Sequence, residues 1–175
     1  FDADKFTLTM FRNFPNITAE MRDFGVINRE PFAGEVLFAA ERFEVEVNLG
    51  DILFGSQMRL KGITIVRPLI NVKVLADGRA NYDIAIPSTD TVATTTEESG
   101  DFSFGIHHWE IVEGDITYDD KSIPFLAEIK NINHSGSGDF TQSLFDLKTN
   151  TTIDTLNMGY AGDTYLANKR AEIDM

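Results

Sequence analysis

The chain has 175 residues, enough for one domain or two tightly joined modules with a hydrophobic core. Its 28 acidic and 15 basic residues give a formal net charge of −13. This charge argues against nucleic-acid binding, which needs a basic surface, and against a polybasic lipid-binding patch. The absence of cysteine excludes disulfides and thiolate metal sites. No apolar run reaches the ~18 residues of a membrane-spanning helix.

Apolar and polar residues alternate with a period of two along most of the chain, which predicts strands rather than helices. Charged residues stand between the apolar ones, so one face of each strand is wet, as is typical of antiparallel sheets. Residues 48–56 alone suggest a short helical turn, beginning near Asp51 and ending at Gly55. In chain order, the alternating apolar sets are Phe6, Leu8 and Met10; Phe43, Val45, Val47 and Leu49; Ile70, Val72 and Val74; and Phe102, Phe104 and Ile106.

Turn residues separate these segments. Asp77–Gly78 predicts a tight hairpin turn of type I′ after Val74. Residues 88–100 are rich in Thr and Ser and acidic, which predicts an exposed linker or loop. We therefore divide the chain into a first β-module at residues 1–87 and a second at residues 101–175. The fold expected is mainly β: an elongated, curved, mostly antiparallel sheet of stacked β-meanders with at most one or two short helices.

The polar residues do not assemble into a catalytic or metal-binding set. His107 and His108 are adjacent, so on a strand they point to opposite faces, and we expect His134 to lie at a Ser/Gly-rich turn. Asp119–Asp120 is better explained as a hairpin turn than as a carboxylate pair. We expect a non-enzymatic protein with no catalytic residue, no metal site and no cofactor.

The apolar strand face has two interpretations that the alternation alone does not separate. It is either an ordinary core sealed by another layer, or an open groove that receives acyl chains or a hydrophobic partner. The candidate groove residues are Ile63, Ile65, Ile70, Val72, Val74, Phe102, Phe104 and Ile106.

One stretch of the sequence resembles AsmA-type bacterial envelope proteins. Within residues 58–84, the matching elements are Pro68, Ile70–Asn71–Val72, Asp77–Gly78 and Ala80–Asn81–Tyr82–Asp83. Residues 114–120 are similar to the family's G-x-I-x-Y-x-D hairpin. These motifs are structural: Pro68 is typical of a strand start or bulge, and we expect Tyr82 to cap the sheet end with its ring buried.

The resemblance implies a location and a process. AsmA-type proteins are tethered by an N-terminal inner-membrane helix, extend into the periplasm as β-modules, and take part in outer-membrane biogenesis. Some relatives carry lipids in an apolar groove. The resemblance therefore implies phospholipid acyl chains, envelope proteins or further β-modules of the same chain as partners. It also implies membrane contact through an anchor outside this sequence. The alternative function is a carbohydrate- or protein-binding β-sandwich of a surface protein.

Overall fold

The strands that the structure describes form one sheet. The computed structural model describes residues 5–9, 15–54, 60–84, 106–138 and 146–175. It contains one short helix, α1 (Leu49–Phe54), and nine strands. The strands are β1 (Lys5–Thr9), β2 (Asn16–Ile27), β3 (Val36–Asn48), β4 (Leu60–Val66), β5 (Leu69–Val74), β6 (His108–Asp120), β7 (Phe125–Ser137), β8 (Lys148–Tyr160) and β9 (Asp163–Asp174).

Two antiparallel meanders are joined side by side in this sheet. Strands β1 to β4 form the first meander and β6 to β9 the second, each strand pairing with the next. β5 continues the line of β4 and pairs with the same two neighbours, β3 and β6. The β4–β6 and β5–β6 pairs are parallel. The prediction of a mostly antiparallel sheet is confirmed, and the strands of both predicted modules share it. The predicted linker, residues 88–100, lies outside the described residues.

The short helix occupies the place that the sequence indicates. α1 follows β3 directly, and the side chain of Asn48 accepts a hydrogen bond from the backbone N–H of Gly50 at 2.8 Å. An Asn in this position satisfies a helix N–H that has no partner within the helix. Asn48 therefore caps the helix start, three residues before the Asp51 that was expected near it. Gly55, the expected stop, lies outside the described residues.

The sheet is a single layer in the part of the chain that the structure describes. Close backbone contacts between elements are essentially those between hydrogen-bonded neighbouring strands, together with a small contact of α1 on β3. Few apolar side chains are withdrawn from solvent, whereas a second layer normally buries most of one sheet face. This arrangement differs from the two packed sheets of a sandwich. The buried apolar residues are Ile17, Phe32, Ala40, Pro68, Val74 and Ile153.

A row of irregular residues crosses the sheet near the middle of the long strands. Five residues with positive φ lie in β2, between β4 and β5, and in β6, β7 and β9: Asp23, Arg67, Glu113, Asn131 and Asn168. An extra residue of this kind bulges a strand and bends it locally. Across the bulges the apolar spacing is three instead of two, as from Met21 to Phe24 and from Ile129 to Ile132. The apolar residues thereby stay on one face along the whole strand.

Candidate functional site

The apolar face of the sheet is continuous from strand to strand. The register places apolar side chains directly opposite one another in rows that run from strand to strand, along the hydrogen-bonding direction. One row contains Met21, Phe43, Ile65 and Ile111. A second row, on the other side of the bulges, contains Val26, Phe38, Ile70, Ile116, Ile129 and Leu156. Directly opposed residues share a face of the sheet, so these rows form one apolar surface.

Five of the candidate groove residues lie on this surface. Ile63 and Ile65 of β4 stand opposite apolar residues of β3. Ile70, Val72 and Val74 of β5 belong to the same face, which continues through their register partners on β6. The other candidates fall differently. Phe102 and Phe104 lie outside the described residues, and Ile106 precedes β6 without belonging to a strand.

The apolar surface has no second layer over it in the described ranges. Of the five candidates on it, Val74 is buried and the other four are half-buried. Side chains in a sealed core are normally almost fully excluded from water. Four of these five side chains are therefore partly accessible to solvent.

Pro68 lies at the centre of this surface, at the bulge between β4 and β5, as its lack of an N–H suggested. Its side chain is fully buried. Ladder hydrogen bonds continue on both sides of it: the N–H of Arg67 donates to the carbonyl of Val112, and the N–H of Asp115 donates to the carbonyl of Pro68, both at 2.8 Å. Proline has no backbone N–H, so no N–H group is left without a hydrogen-bond partner at this point of the bulge.

A polar chain interrupts the apolar surface near one end of β6. The indole Nε1–H of Trp109 donates to Nε2 of His134 at 2.9 Å. The other ring nitrogen of His134 lies 2.8 Å from the hydroxyl oxygen of Thr151. A nitrogen that accepts carries no proton, so Nδ1 holds the hydrogen and donates to Thr151. Both ring nitrogens of His134 are thus hydrogen-bonded to side chains of neighbouring strands, and the residue lies within β7 and not at a turn.

The opposite face of the sheet is polar and densely charged. Arg67 forms ion pairs with Glu41 at 2.5 Å and with Glu113 at 3.0 Å, and it links three strand positions across the bulge row. These two carboxylates raise the pKa of Arg67. Farther along the row, Arg170 pairs with Asp154 at 2.9 Å, and this bond lowers the pKa of Asp154.

Two glutamates on this face stand directly opposite each other. Glu20 of β2 is the register partner of Glu44 of β3, and Arg22 and Arg42 flank them. Burial raises the pKa of Glu44, and the hydrogen bond with Glu20 raises it further. The hydrogen bond from Arg22 lowers the pKa of Glu20. One face of the sheet is therefore apolar and the other is charged.

The Ala-Asn-Tyr segment has a structural role that differs from the expected one. Tyr82 is 57% exposed, so the prediction that its ring is buried is wrong. The buried residue is Asn81, which is 3% exposed. Its side chain accepts from the N–H of Lys73 at 2.9 Å and donates to the carbonyl of Asn71 at 2.7 Å. Asn81 therefore pairs with β5 as a neighbouring strand would, along the part of β5 that β3 does not reach.

The Asp-Gly turn ahead of this segment exists but has a different type. The N–H of Gly78 donates to the carbonyl of Leu75, and among these turn residues the positive φ belongs to Gly78 and not to Asp77. A type I′ turn needs positive φ at both central residues. The turn leads to a single bridge between Val74 and Ala80 instead of a full hairpin.

Asp120 closes the β6–β7 turn, as the sequence suggested. Its carboxylate accepts from the N–H and the hydroxyl of Ser122 at 2.8 and 2.6 Å, and from the hydroxyl of Tyr118 at 3.1 Å. The Ser122 hydroxyl lowers the pKa of Asp120. Within the described residues, no cluster of three or more His, Asp or Glu side chains is placed to hold a metal ion.

No family model matches the chain, and no curated protein or solved structure shows significant similarity to it. Among the helices of the described residues, none has the length and apolar character needed to cross a membrane.

Proposed function

We propose that this chain is a non-catalytic segment of an AsmA-like envelope protein whose apolar β face accommodates phospholipid acyl chains. The observation that supports this proposal is the continuous apolar surface without a covering layer in the described residues. A protein that leaves such a surface accessible normally has a hydrophobic partner for it.

The dimensions of the surface fit this occupant. The sheet has eight strand positions, because β5 continues the line of β4. The longer row of opposed apolar side chains runs from β2 to β8 over six of these positions, so at ~4.8 Å between strands it is roughly 24 Å long. One acyl chain spans half of a hydrocarbon layer that is ~30 Å thick. Each methylene group that leaves water on such a surface contributes about 0.8 kcal/mol. The face is therefore wide enough for an acyl chain lying along a row of opposed side chains.

The envelope setting of the proposal comes from the sequence motifs. In this context the protein lies in the periplasm, is tethered to the inner membrane by an anchor outside this sequence, and meets envelope proteins or further β-modules of the same chain. The motif residues have structural and not catalytic roles: Pro68 spans the bulge and Asn81 extends the edge of β5. This supports a structural and lipid-contacting segment over an enzyme.

A photo-crosslinking experiment tests the proposal on two adjacent positions. Ile116 belongs to the apolar face and Thr117 to the opposite face of the same strand. Each is replaced in turn by p-benzoylphenylalanine, and the protein is irradiated with vesicles of phosphatidylethanolamine and phosphatidylglycerol. We expect lipid adducts in the mass spectrum from position 116 and few from position 117. Equal labelling at both positions, with circular dichroism showing folded protein, contradicts the proposal.

A further inference from the structure

The last strand of the sheet has an open edge. β9 pairs with β8 on one side, and no other described strand pairs with it on the other. Most of its side chains are exposed. A long strand with unpaired N–H and C=O groups is a template for pairing with another chain. The backbone direction and the charges along this edge indicate which strand could pair with it.

The backbone groups that face outward are set by the pairing with β8. Thr149 and Met175 exchange two backbone hydrogen bonds, so Met175 faces β8. Because hydrogen-bonding direction alternates along a strand, Ile173 and Ala171 also face β8. The N–H and C=O groups of Asp174, Glu172 and Arg170 therefore point toward the open edge.

Two residues of opposite charge flank Ala171 on this edge. Arg170 precedes Ala171 and Glu172 follows it. We propose that β9 pairs antiparallel with β9 of a second copy of this chain, about a twofold axis through Ala171. Arg170 of each copy then stands opposite Glu172 of the other, giving two opposite-charge pairs. Cross-strand pairs of this kind stabilise a sheet, and like charges directly opposite destabilise it.

Neighbouring registers fit less well. Moving the axis to residue 170 places Arg170 opposite its own copy, and moving it to residue 172 places Glu172 opposite its own copy. Both shifts keep the outward backbone groups aligned but create a like-charge pair at the centre. The register centred on Ala171 is favoured because it brings opposite charges together there. Arg170 already pairs with Asp154 of its own strand neighbour, which holds its side chain on the polar face.

This pairing extends the apolar surface into the second copy. A twofold axis perpendicular to a sheet keeps each face on the same side, so the apolar rows of the two copies join. On this face Lys169 comes opposite Ile173 of the other copy, where its methylene stem covers apolar surface and its ammonium group reaches water. The inference concerns the edge of β9 and stands independently of the lipid proposal.

Cysteine crosslinking tests the register, because the chain contains no cysteine. Ala171→Cys places two thiols opposite each other at the axis, in a pair whose Cβ atoms lie ~4.5–5.5 Å apart. We expect a covalent dimer on mild oxidation of Ala171→Cys. The control is Tyr165→Cys, an exposed position on β9 that lies six residues from the axis, so that the two thiols are far apart in this register. Crosslinking that is equal for both variants, or absent for Ala171→Cys, overturns the register.

Charge reversal tests the pairing in the absence of a crosslink. Analytical ultracentrifugation of the 175-residue chain is run from about 1 µM to about 1 mM protein. We expect a monomer–dimer equilibrium that Arg170→Glu or Glu172→Arg weakens about tenfold or more. The double variant carrying both reversals is expected to dimerise again. A wild-type chain that stays monomeric throughout, or a double variant no better than the single ones, overturns the proposal.

Discussion

The indole of Trp109 lies directly over the backbone of Gly136, its register partner on β7. A Cβ atom at position 136 would lie only 2.0 Å from Cζ2 of the indole. The same ring donates its N–H to His134. Gly136 is therefore required by a close approach of an aromatic ring, and the ring position in turn holds the polar chain that ends at Thr151.

Gly136→Ala is expected to displace the indole and break its bond to His134. Crowding of this kind typically costs about 1–3 kcal/mol of unfolding free energy. The chain has a single tryptophan, so its fluorescence emission reports the displacement as a shift to longer wavelength. Gly62→Ala is the control, because a Cβ atom there has its nearest neighbour at 3.6 Å. An unshifted emission in Gly136→Ala, with unchanged urea unfolding, would contradict the packing described.

A second close approach joins the two meanders at the centre of the apolar face. A Cβ atom on Gly114 would lie 2.9 Å from Cγ of Pro68, whose ring is rigid and buried. We expect Gly114→Ala to destabilise the protein by about 1–3 kcal/mol. The effect should be smaller in a Pro68→Ala background, where the ring is removed. A double-mutant cycle measured by chemical denaturation checks this coupling; strictly additive effects would show that the two residues do not interfere.

Replacing Glu44, one of the two opposed glutamates, is predicted to raise the free energy of unfolding in a pH-dependent way. Because the pKa of Glu44 is raised on folding above its ordinary value of 4.5, folding favours its protonated form. That stabilisation is present at low pH and is lost as the pH rises past the raised pKa. Glu44→Gln keeps a hydrogen-bond donor toward Glu20 without the charge, so it should stabilise the protein at neutral pH by roughly 0.2–1 kcal/mol.

Thermal unfolding measured at several pH values checks this prediction. The gain of Glu44→Gln should be small below the ordinary glutamate pKa, where Glu44 is protonated in both states, and should grow toward neutral pH. Glu110→Gln is the control, because its register partners are Thr64 and Ser135 and not a carboxylate. A gain in Glu44→Gln that does not depend on pH would mean that charge repulsion is not its cause.

The sheet and its apolar face follow from the sequence because alternation is a direct record of the two faces of a strand. Phe43, Val45 and Val47, and then Ile70, Val72 and Val74, lie on the face that their spacing predicts. Strands β7 and β8 are harder to predict from sequence, since their apolar residues change spacing at a bulge, as between Ile129 and Ile132. Asn131, a residue type that tolerates positive φ, marks one such place.

Other features leave no local mark on the sequence. Arg67 and Glu113 adopt positive φ although neither residue type favours it. The row of bulges is a property of neighbouring strands that bend together, and not of any single segment. The parallel pairing of β4 and β5 with β6 is likewise decided by tertiary contacts across a long connection. Alternation predicts which residues share a face but not which strands become neighbours.

In the Ala-Asn-Tyr motif, the buried residue is Asn81 and not the predicted Tyr82. Tyr82 is the residue of this motif that the sequence predicts to be buried, because an aromatic ring has the larger apolar area to bury. In the structure Asn81 is buried, and its side chain and backbone pair with β5 through three bonds: to the N–H of Lys73, the carbonyl of Lys73 and the carbonyl of Asn71. The buried amide of Asn81 satisfies backbone groups of β5 that would otherwise lack these partners.

Asn81→Ala is therefore expected to be among the more damaging polar substitutions. It leaves the N–H of Lys73 and the carbonyl of Asn71 without their side-chain partners, at a cost of about 1–3 kcal/mol for unsatisfied buried groups. Asp83→Ala is the control: this residue lies two positions on, is exposed, and should change stability by no more than about 0.5 kcal/mol. Hydrogen exchange should show faster exchange of the Lys73 amide in Asn81→Ala and not in the control. If the Lys73 amide stays equally protected in both variants, the edge of β5 does not depend on the Asn81 side chain.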